Sequence, residues 1–270
     1  MKHFLRVLLL LWRRFKGYKD ISVPVPAVLR KDLLYGYYGC SGDQLAETID
    51  HISVYMDAQW EGLDKTIANI NTAKLPTILD VSQQVFIGPA PYKLRDDAGE
   101  RLHALFVSLR GSDALAYVKY LYPIDEPNNT VVNATELARA IEIIREVAAM
   151  YMSEVKLCVI YAAGRDFSCQ HLFDYVGFDD YEAKSSLLKS DYPSFKKSLL
   201  TGQKTILVPG GAYGHDITPW INFAHSNEEV GMVLPFIWFD GRGVSGTPEL
   251  GIRSLPYREN YIAAGNSTKS

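Results

Sequence analysis

Eight short apolar, β-branched or aromatic runs, helical patterns between most of them, and no hydrophobic unit left over for a second domain predict an α/β chain closed into a single (β/α)8 TIM barrel. The length of 270 residues suits one barrel of about 250 residues with an extension. Residues 1–30 read as a basic and apolar N-terminal extension and linker, and residues 31–270 as the barrel domain. An open doubly wound sheet is the runner-up. It calls for a Gly-rich phosphate turn after the first strand, and YGYYGCSG does not match G-x-G-x-x-G.

The first run is LLYGYYG (33–39), followed by SGDQLAETID. The second, ISVYMDAQW (52–60), precedes a helix in which Leu63, Ile67 and Ile70 share one face. The third is PTILDVSQQVF (76–86). A loop rich in Pro, Gly and charge leads from it to a helix from about Asp97 to Leu109. The fourth, AYVKYLYPI (116–124), ends in Asp125 and Glu126. Its helix starts at Asn133, a predicted N-cap with Glu136 three residues on, and carries the stripe Leu137, Ile141, Ile144 and Ala148. KLCVIYAAG (156–164) and FDYVGFDDYE (173–182) are the fifth and sixth runs, with a helix around SFKKSLL after the sixth. KTILVPGGAYG (204–214), the helix within DITPWINFAHSNEE, and GMVLPFIWFDG (231–241) complete the series. A Pro-interrupted segment then runs to about Ala264, and GNSTKS reads as a frayed tail.

Composition narrows the classes of partner. Hydrophobic residues make up 47% and charged residues 22%, the balance of an ordinary globular chain. Residues 1–20 carry a net charge of +5 and the remainder −8, which argues against nucleic acid as a partner. Three cysteines with no CxxC spacing exclude a disulfide framework and a structural zinc site. No cofactor or metal is expected. Seventeen tyrosines suit either a core or a surface for ligands with polar and apolar faces, such as carbohydrate. The opening MKHFLRVLLLLWRRFKGYKD is too short to span a bilayer and has no clear cleavage site. Three readings stay open for residues 1–20: peripheral contact with an anionic membrane surface, a poor export signal, or an extension packed on the body. They favour a secreted, cell-envelope or membrane-associated location over the cytoplasm.

A barrel places its chemistry at the C-terminal ends of its strands. Those ends carry Tyr37 and Tyr38, Asp57 and Trp60, Asp80, Asp125 and Glu126, Asp179 and Asp180, Tyr213 with His215, and Trp238 with Asp240. Carboxyl groups bind hydroxyls and exchange protons, and aromatic planes cover the C–H faces of a sugar, so this ring predicts a carbohydrate substrate. The candidate catalytic residues are Glu126 and Asp125. The negative charge of Asp125 raises the cost of ionising its neighbour, which favours a protonated Glu126. Pro127 is expected to hold the acidic pair in extended geometry at the rim. The candidate substrate-binding residues are Tyr38, Asp57, Trp60, Asp80, Asp180, Tyr213, Trp238 and Asp240.

The segment IDEP after the fourth run resembles the acid/base segment of TIM-barrel glycoside hydrolases. Their large retaining clan has Asn-Glu-Pro there and a nucleophilic Glu ending the seventh strand. Here Asp125 stands in the Asn position, and VPGGAYG carries no acid. The adjacent Asp-Glu pair is similar to that of the β-N-acetylhexosaminidase-type families, in which the substrate's own acetamido oxygen attacks. That resemblance implies that Asp125 orients the acetamido group, Glu126 is the acid/base, and Tyr213 and Trp238 line the pocket.

Other classes find less support. The histidines lack metal-ligand spacing, no His-x-His marks the first run, and no Lys sits at the sixth, which disfavours metal-dependent amidohydrolase and Schiff-base chemistry. Gly210-Gly211 reads as a tight turn in preference to a phosphate loop. A non-catalytic glycan-binding barrel is the alternative function.

Overall fold

The computed structural model describes residues 29–269 except 41, 60, 89–90, 131, 163–166, 180, 182–190 and 243–247. The extension 1–28 therefore lies outside the described residues. Eight parallel strands form one curled sheet: β1 (Leu34–Tyr35), β2 (Tyr55–Asp57), β3 (Thr77–Asp80), β4 (Val118–Tyr122), β5 (Lys156–Ala162), β6 (Tyr175–Asp179), β7 (Lys204–Val208) and β8 (Val230–Val233). Each strand from β2 to β8 pairs with its chain neighbour, and β1 pairs with β8. The two ends of the sheet meet. The Tyr35 carbonyl accepts hydrogen bonds from the amides of Ser53 at 2.7 Å and Val54 at 3.1 Å. Gly36 permits this approach, because a Cβ there would stand 2.3 Å from the Val54 carbonyl oxygen.

Helices α1 (Gly42–Thr48), α2 (Leu63–Ala73), α3 (Ala98–Gly111), α4 (Ala134–Ala149), α5 (Tyr192–Ser198), α6 (Thr218–Ser226) and α7 (Arg258–Asn266) accompany the strands. The Asn133 side chain caps α4, accepting from the Thr135 amide at 2.8 Å, which satisfies one of the helix's unpaired N–H groups. Two-stranded ribbons at Phe86–Ile87 with Lys93–Leu94, and at Gly241–Arg242 with Pro248–Glu249, decorate the loops.

The strands are buried on both faces, as parallel strands are, so two cores form. Met56, Ile78, Tyr122, Cys158, Ile160, Ile206, Val208, Met232 and Leu234 fill the space inside the sheet. Alternate residues, including Tyr35, Tyr55, Leu79, Leu121, Val159, Leu207 and Val233, join the helices outside it. On β6 the inward position is Gly177, where a Cβ would meet Ile206 at 2.8 Å. This period-two division decides which strand-end side chains face the interior.

Arg30, the last residue of the segment read as extension and linker, is tied to the body: its guanidinium donates to the carbonyls of Ala224 and Asn227 at the C-terminal end of α6 and of Val230 on β8. Two expectations need correction. Residues 265–269 of the GNSTKS tail are not frayed, since Thr268 is buried and Lys269 donates to the carbonyls of Ile49 and Asp50. Pro127 does not keep the acidic pair extended. Glu126 has φ 41°, in the left-handed region that a non-Gly residue enters at a cost of about 1–3 kcal/mol.

Candidate active site

The left-handed Glu126 ends the β4 segment in a compact turn. Its amide donates to the Ile160 carbonyl at 3.0 Å, and its carbonyl accepts from the amides of Asn129 and Thr130 at 2.8 and 2.9 Å. The Asn129 side-chain amide donates to Glu126 Oε2. Asn128 makes a two-way bond to the backbone of Ala162 at the end of β5. The turn and the next strand together hold the Glu126 carboxyl in place, so its backbone strain is offset by bonds to both.

Four carboxyl groups come together here. Asp80 follows the inward Ile78 by two residues, and Asp179 follows the inward Gly177 by two, so strand parity turns both toward the interior. Asp179 stands beside Glu126 and Tyr181, whose hydroxyl favours its charged form. Asp125 accepts from the Tyr122 hydroxyl at 2.5 Å and also hydrogen-bonds with Tyr38. Asp80 Oδ1 accepts from the Ser82 amide at 2.7 Å.

Burial and the neighbouring negative charges raise the proton affinity of Asp80, Asp125 and Asp179. Asp179 is pushed up to about 7, first by burial and then by the charge of Glu126, against the lowering effect of Tyr181. Asp80 is also pushed up to about 7, by burial first, with the charge of Asp125 adding to it. Burial, then the charge of Glu126, raises Asp125, while the Tyr122 hydrogen bond opposes the shift. Near neutral pH the cluster thus retains protons that isolated carboxylates would have lost, as proton transfer to a leaving group requires.

Aromatic rings surround the acids. Tyr181 and Tyr213 stack with centroids 4.9 Å apart and planes 4° apart, and Phe236 stacks on Tyr181 at 5.0 Å. Tyr38 packs on Phe236 at 5.6 Å and edge-on to Tyr122 at 6.3 Å. Tyr213 remains 40% exposed, which leaves apolar ring surface beside the carboxyls.

Several predicted contacts lie elsewhere. Asp57 has the outward parity, next to the inward Met56. Buried between β2 and α2, it accepts from Tyr55 Oη, the Gln59 amide and Thr66 Oγ1, each at 2.8 Å. Trp238 is fully buried outside the sheet, 4.7 Å from Tyr37 and 5.3 Å from His51, and its Nε1 donates to Glu47. Asp240 accepts from the Gly251 amide at 2.8 Å and Ser254 Oγ at 2.6 Å, closing a loop. Trp60 and Asp180 lie outside the described residues. Gly210 forms the predicted tight turn, its amide donating to His215 Nδ1 at 3.1 Å, so that donor is already engaged. Among the described residues, no three His, Cys, Asp or Glu side chains are placed to hold a metal ion. No helix of the described residues is long and apolar enough to cross a membrane. Asp179, one of the two acids noted at the end of the sixth run, joins the site, and the residues that the site adds to the predicted ones are Tyr181, Asn129 and Phe236.

The fold and this mouth define the chain as an α/β protein with a curled eight-stranded parallel sheet and acids at its C-terminal strand ends. No family model matches the chain, and no curated protein matches its sequence. Its fold is similar to the glycoside hydrolase family 17 β-1,3-glucanosyltransferase from Rhizomucor miehei, at 13% identity and TM-score 0.56, over 82% of this chain and 93% of that one. It is also similar to a family 113 β-1,4-mannanase, at 11% identity and TM-score 0.50, over 86% and 97% of the two chains. A β-glucuronidase from Ruminococcus gnavus matches at 10% identity and TM-score 0.56, over 83% of this chain and 45% of that one. Glycoside hydrolases of TIM-barrel type thus share its architecture.

Proposed function

We propose that the protein is a glycoside hydrolase on a complete (β/α)8 barrel, cleaving an oligo- or polysaccharide with Glu126 as general acid/base and Asp125 as its partner. The observation that carries this reading is the contact of Glu126 with Asp179 beneath stacked aromatic rings at the C-terminal strand ends. In this reading Asp179, whose proton affinity is raised, passes its proton to Glu126. Glu126 delivers it to the glycosidic oxygen as the bond from that oxygen to the anomeric carbon breaks. The cationic ring that develops is met either by a carboxylate or by the substrate's own acetamido oxygen, oriented by Asp125. Glu126 then takes a proton from the water that adds to the anomeric carbon. Tyr38 and Tyr122 hold Asp125, and Tyr213 offers a face to the sugar. The fold neighbours act on glycans, which supports a carbohydrate substrate.

The test is hydrolysis of a panel of aryl glycosides, with and without a 2-acetamido group, by wild type, Glu126→Gln and Asp179→Asn. Loss of general acid–base catalysis predicts a fall in kcat of about 10²–10⁴-fold for Glu126→Gln, with oligosaccharide binding retained. Turnover confined to 2-acetamido substrates supports attack by the acetamido oxygen. Binding without turnover of any glycan by the wild type identifies the protein as the alternative, a non-catalytic glycan-binding barrel. Unchanged kcat in Glu126→Gln removes Glu126 from the mechanism.

A further inference from the structure

We infer that His215 is a positioning residue for the Asp179–Glu126 pair, acting through Tyr181; the inference rests on that pair being the reacting carboxyls. His215 is buried in the loop after β7, and both ring nitrogens are engaged. Nδ1 accepts from the Gly210 amide at 3.1 Å, so in the neutral ring the proton is on Nε2. Nε2 lies 3.0 Å from the Tyr181 carbonyl and donates to it. One tautomer therefore satisfies both partners and ties the loop after β7 to the loop after β6.

The imidazole is itself held. Its plane stacks on Trp220 of α6 at 5.9 Å, and the His215 carbonyl accepts from Tyr261 Oη of α7 at 2.7 Å. Tyr181 is gripped a second time by Gly210, where a Cβ would stand 2.8 Å from Tyr181 Cδ1 and 3.2 Å from His215 Nε2. Beyond the end of β6 at Asp179, Tyr181 has no strand partner among the described residues to fix its backbone. The His215 hydrogen bond supplies that constraint. With its backbone fixed, Tyr181 keeps its hydroxyl beside Asp179 and its ring stacked with both Tyr213 and Phe236. Asp179 faces Glu126, Asp125 and Tyr181, so a displaced Tyr181 leaves it with two like charges and no neutral donor. His215 thus links the scaffold helices to the orientation of an acid that it does not touch.

The experiment titrates the Asp179 carboxyl by ¹³C NMR in full-length wild type, His215→Leu, His215→Gln, Tyr181→Phe and the His215→Leu/Tyr181→Phe double variant. Because the Tyr181 hydrogen bond lowers the proton affinity of Asp179, both His215→Leu and Tyr181→Phe are expected to shift its titration upward. The double variant should shift no further than either single variant. His215→Gln, which can still donate to the Tyr181 carbonyl, should recover part of the wild-type value. On a hydrolysed glycoside, His215→Leu should lower kcat by about 10–100-fold, the scale of a misplacement near 1 Å, with KM within about twofold. If His215→Leu fails to fold, Gly210→Ala applies the same displacement from the other side and is read in the same way. An Asp179 titration unchanged in His215→Leu, or shifts that add fully in the double variant, overturns the relay. The NMR arm reads the relay without turnover, so an inactive wild type counts against the hydrolase reading alone.

Discussion

Replacing Asp57 tests whether an acid at a strand end serves stability or substrate. Its side chain is 4% exposed and accepts three hydrogen bonds of 2.8 Å, from the Gln59 amide, Thr66 Oγ1 and Tyr55 Oη. Asp57→Ala removes all three acceptors at once. The Gln59 amide is fixed by a left-handed backbone, φ 54°, and cannot turn to another partner. Tyr55 Oη has the Cys40 carbonyl at 3.4 Å as a partial substitute, and the Thr66 hydroxyl can rotate. A buried donor left unpaired costs about 1–3 kcal/mol. One full loss and two partial ones, with the small cavity left behind, give about 3–5 kcal/mol. At about 2–4 °C per kcal/mol for a chain of this size, Tm falls by about 6–20 °C. Asp57→Asn keeps one oxygen for the Gln59 amide and Thr66 and should cost about 1–2 kcal/mol. Urea unfolding read by circular dichroism, with an unchanged m-value, measures both. Stability altered by less than about 0.5 kcal/mol in Asp57→Ala, together with lost glycan binding, would refute the argument and return Asp57 to the substrate contacts.

Two further predictions concern the acids and the sheet's lower edge. Asp179 has an ordinary value of 3.8 and a folded value of about 7, so the folded state binds more protons between those limits. Stability should therefore fall as pH rises through that window, with the full penalty above it. Asp179→Asn removes this penalty and should be more stable than wild type by about 1–3 kcal/mol at pH 8, with the difference vanishing near pH 4. Thermal melts at the two pH values check this, and equal melts at pH 8 would contradict it. Arg30→Met keeps the side-chain stem but removes three hydrogen bonds to carbonyls, of Ala224 and Asn227 at the end of α6 and of Val230 on β8. The expected loss is about 1.5–3 kcal/mol by urea unfolding, and a loss below about 0.5 kcal/mol would contradict the capping role.

Strained and repelling groups mark the mouth. Glu126 stands at positive φ, Asp80 and Asp179 hold raised proton affinities, and the acids lie close together. Each feature works against stability and is offset by local bonds: Asn129 to Glu126, Tyr122 to Asp125, Tyr181 to Asp179. Asp57, which accepts from three donors and has the outward parity, contrasts with them. The difference between a structural carboxyl and one proposed to react is here one of surroundings, since residue type and place at a strand end are the same.

All eight strands were legible in the sequence because a short β-branched run between turn residues is a local signal. The Asn133 cap and the α4 stripe were legible for the same reason. So was the position of Asp125 and Glu126 at the end of the fourth run. What the chain alone could not assign was direction. A parallel strand buried on both faces is apolar at odd and even positions alike, so Tyr-Met-Asp and Gly-Phe-Asp do not reveal which residues point inward. The counting rule that makes Asp80 and Asp179 interior and Asp57 exterior works only once one inward residue is known. Trp238 raised the same difficulty, since its ring turns to Tyr37 and His51 behind the sheet. The contacts of Asp179 with Glu126, and of His215 with Tyr181, join residues 53 and 34 positions apart in the numbering. Periodicity along the chain defined the elements; only the curling of the sheet brought its strand ends together, because a site assembled from separate loops has no local sequence signal.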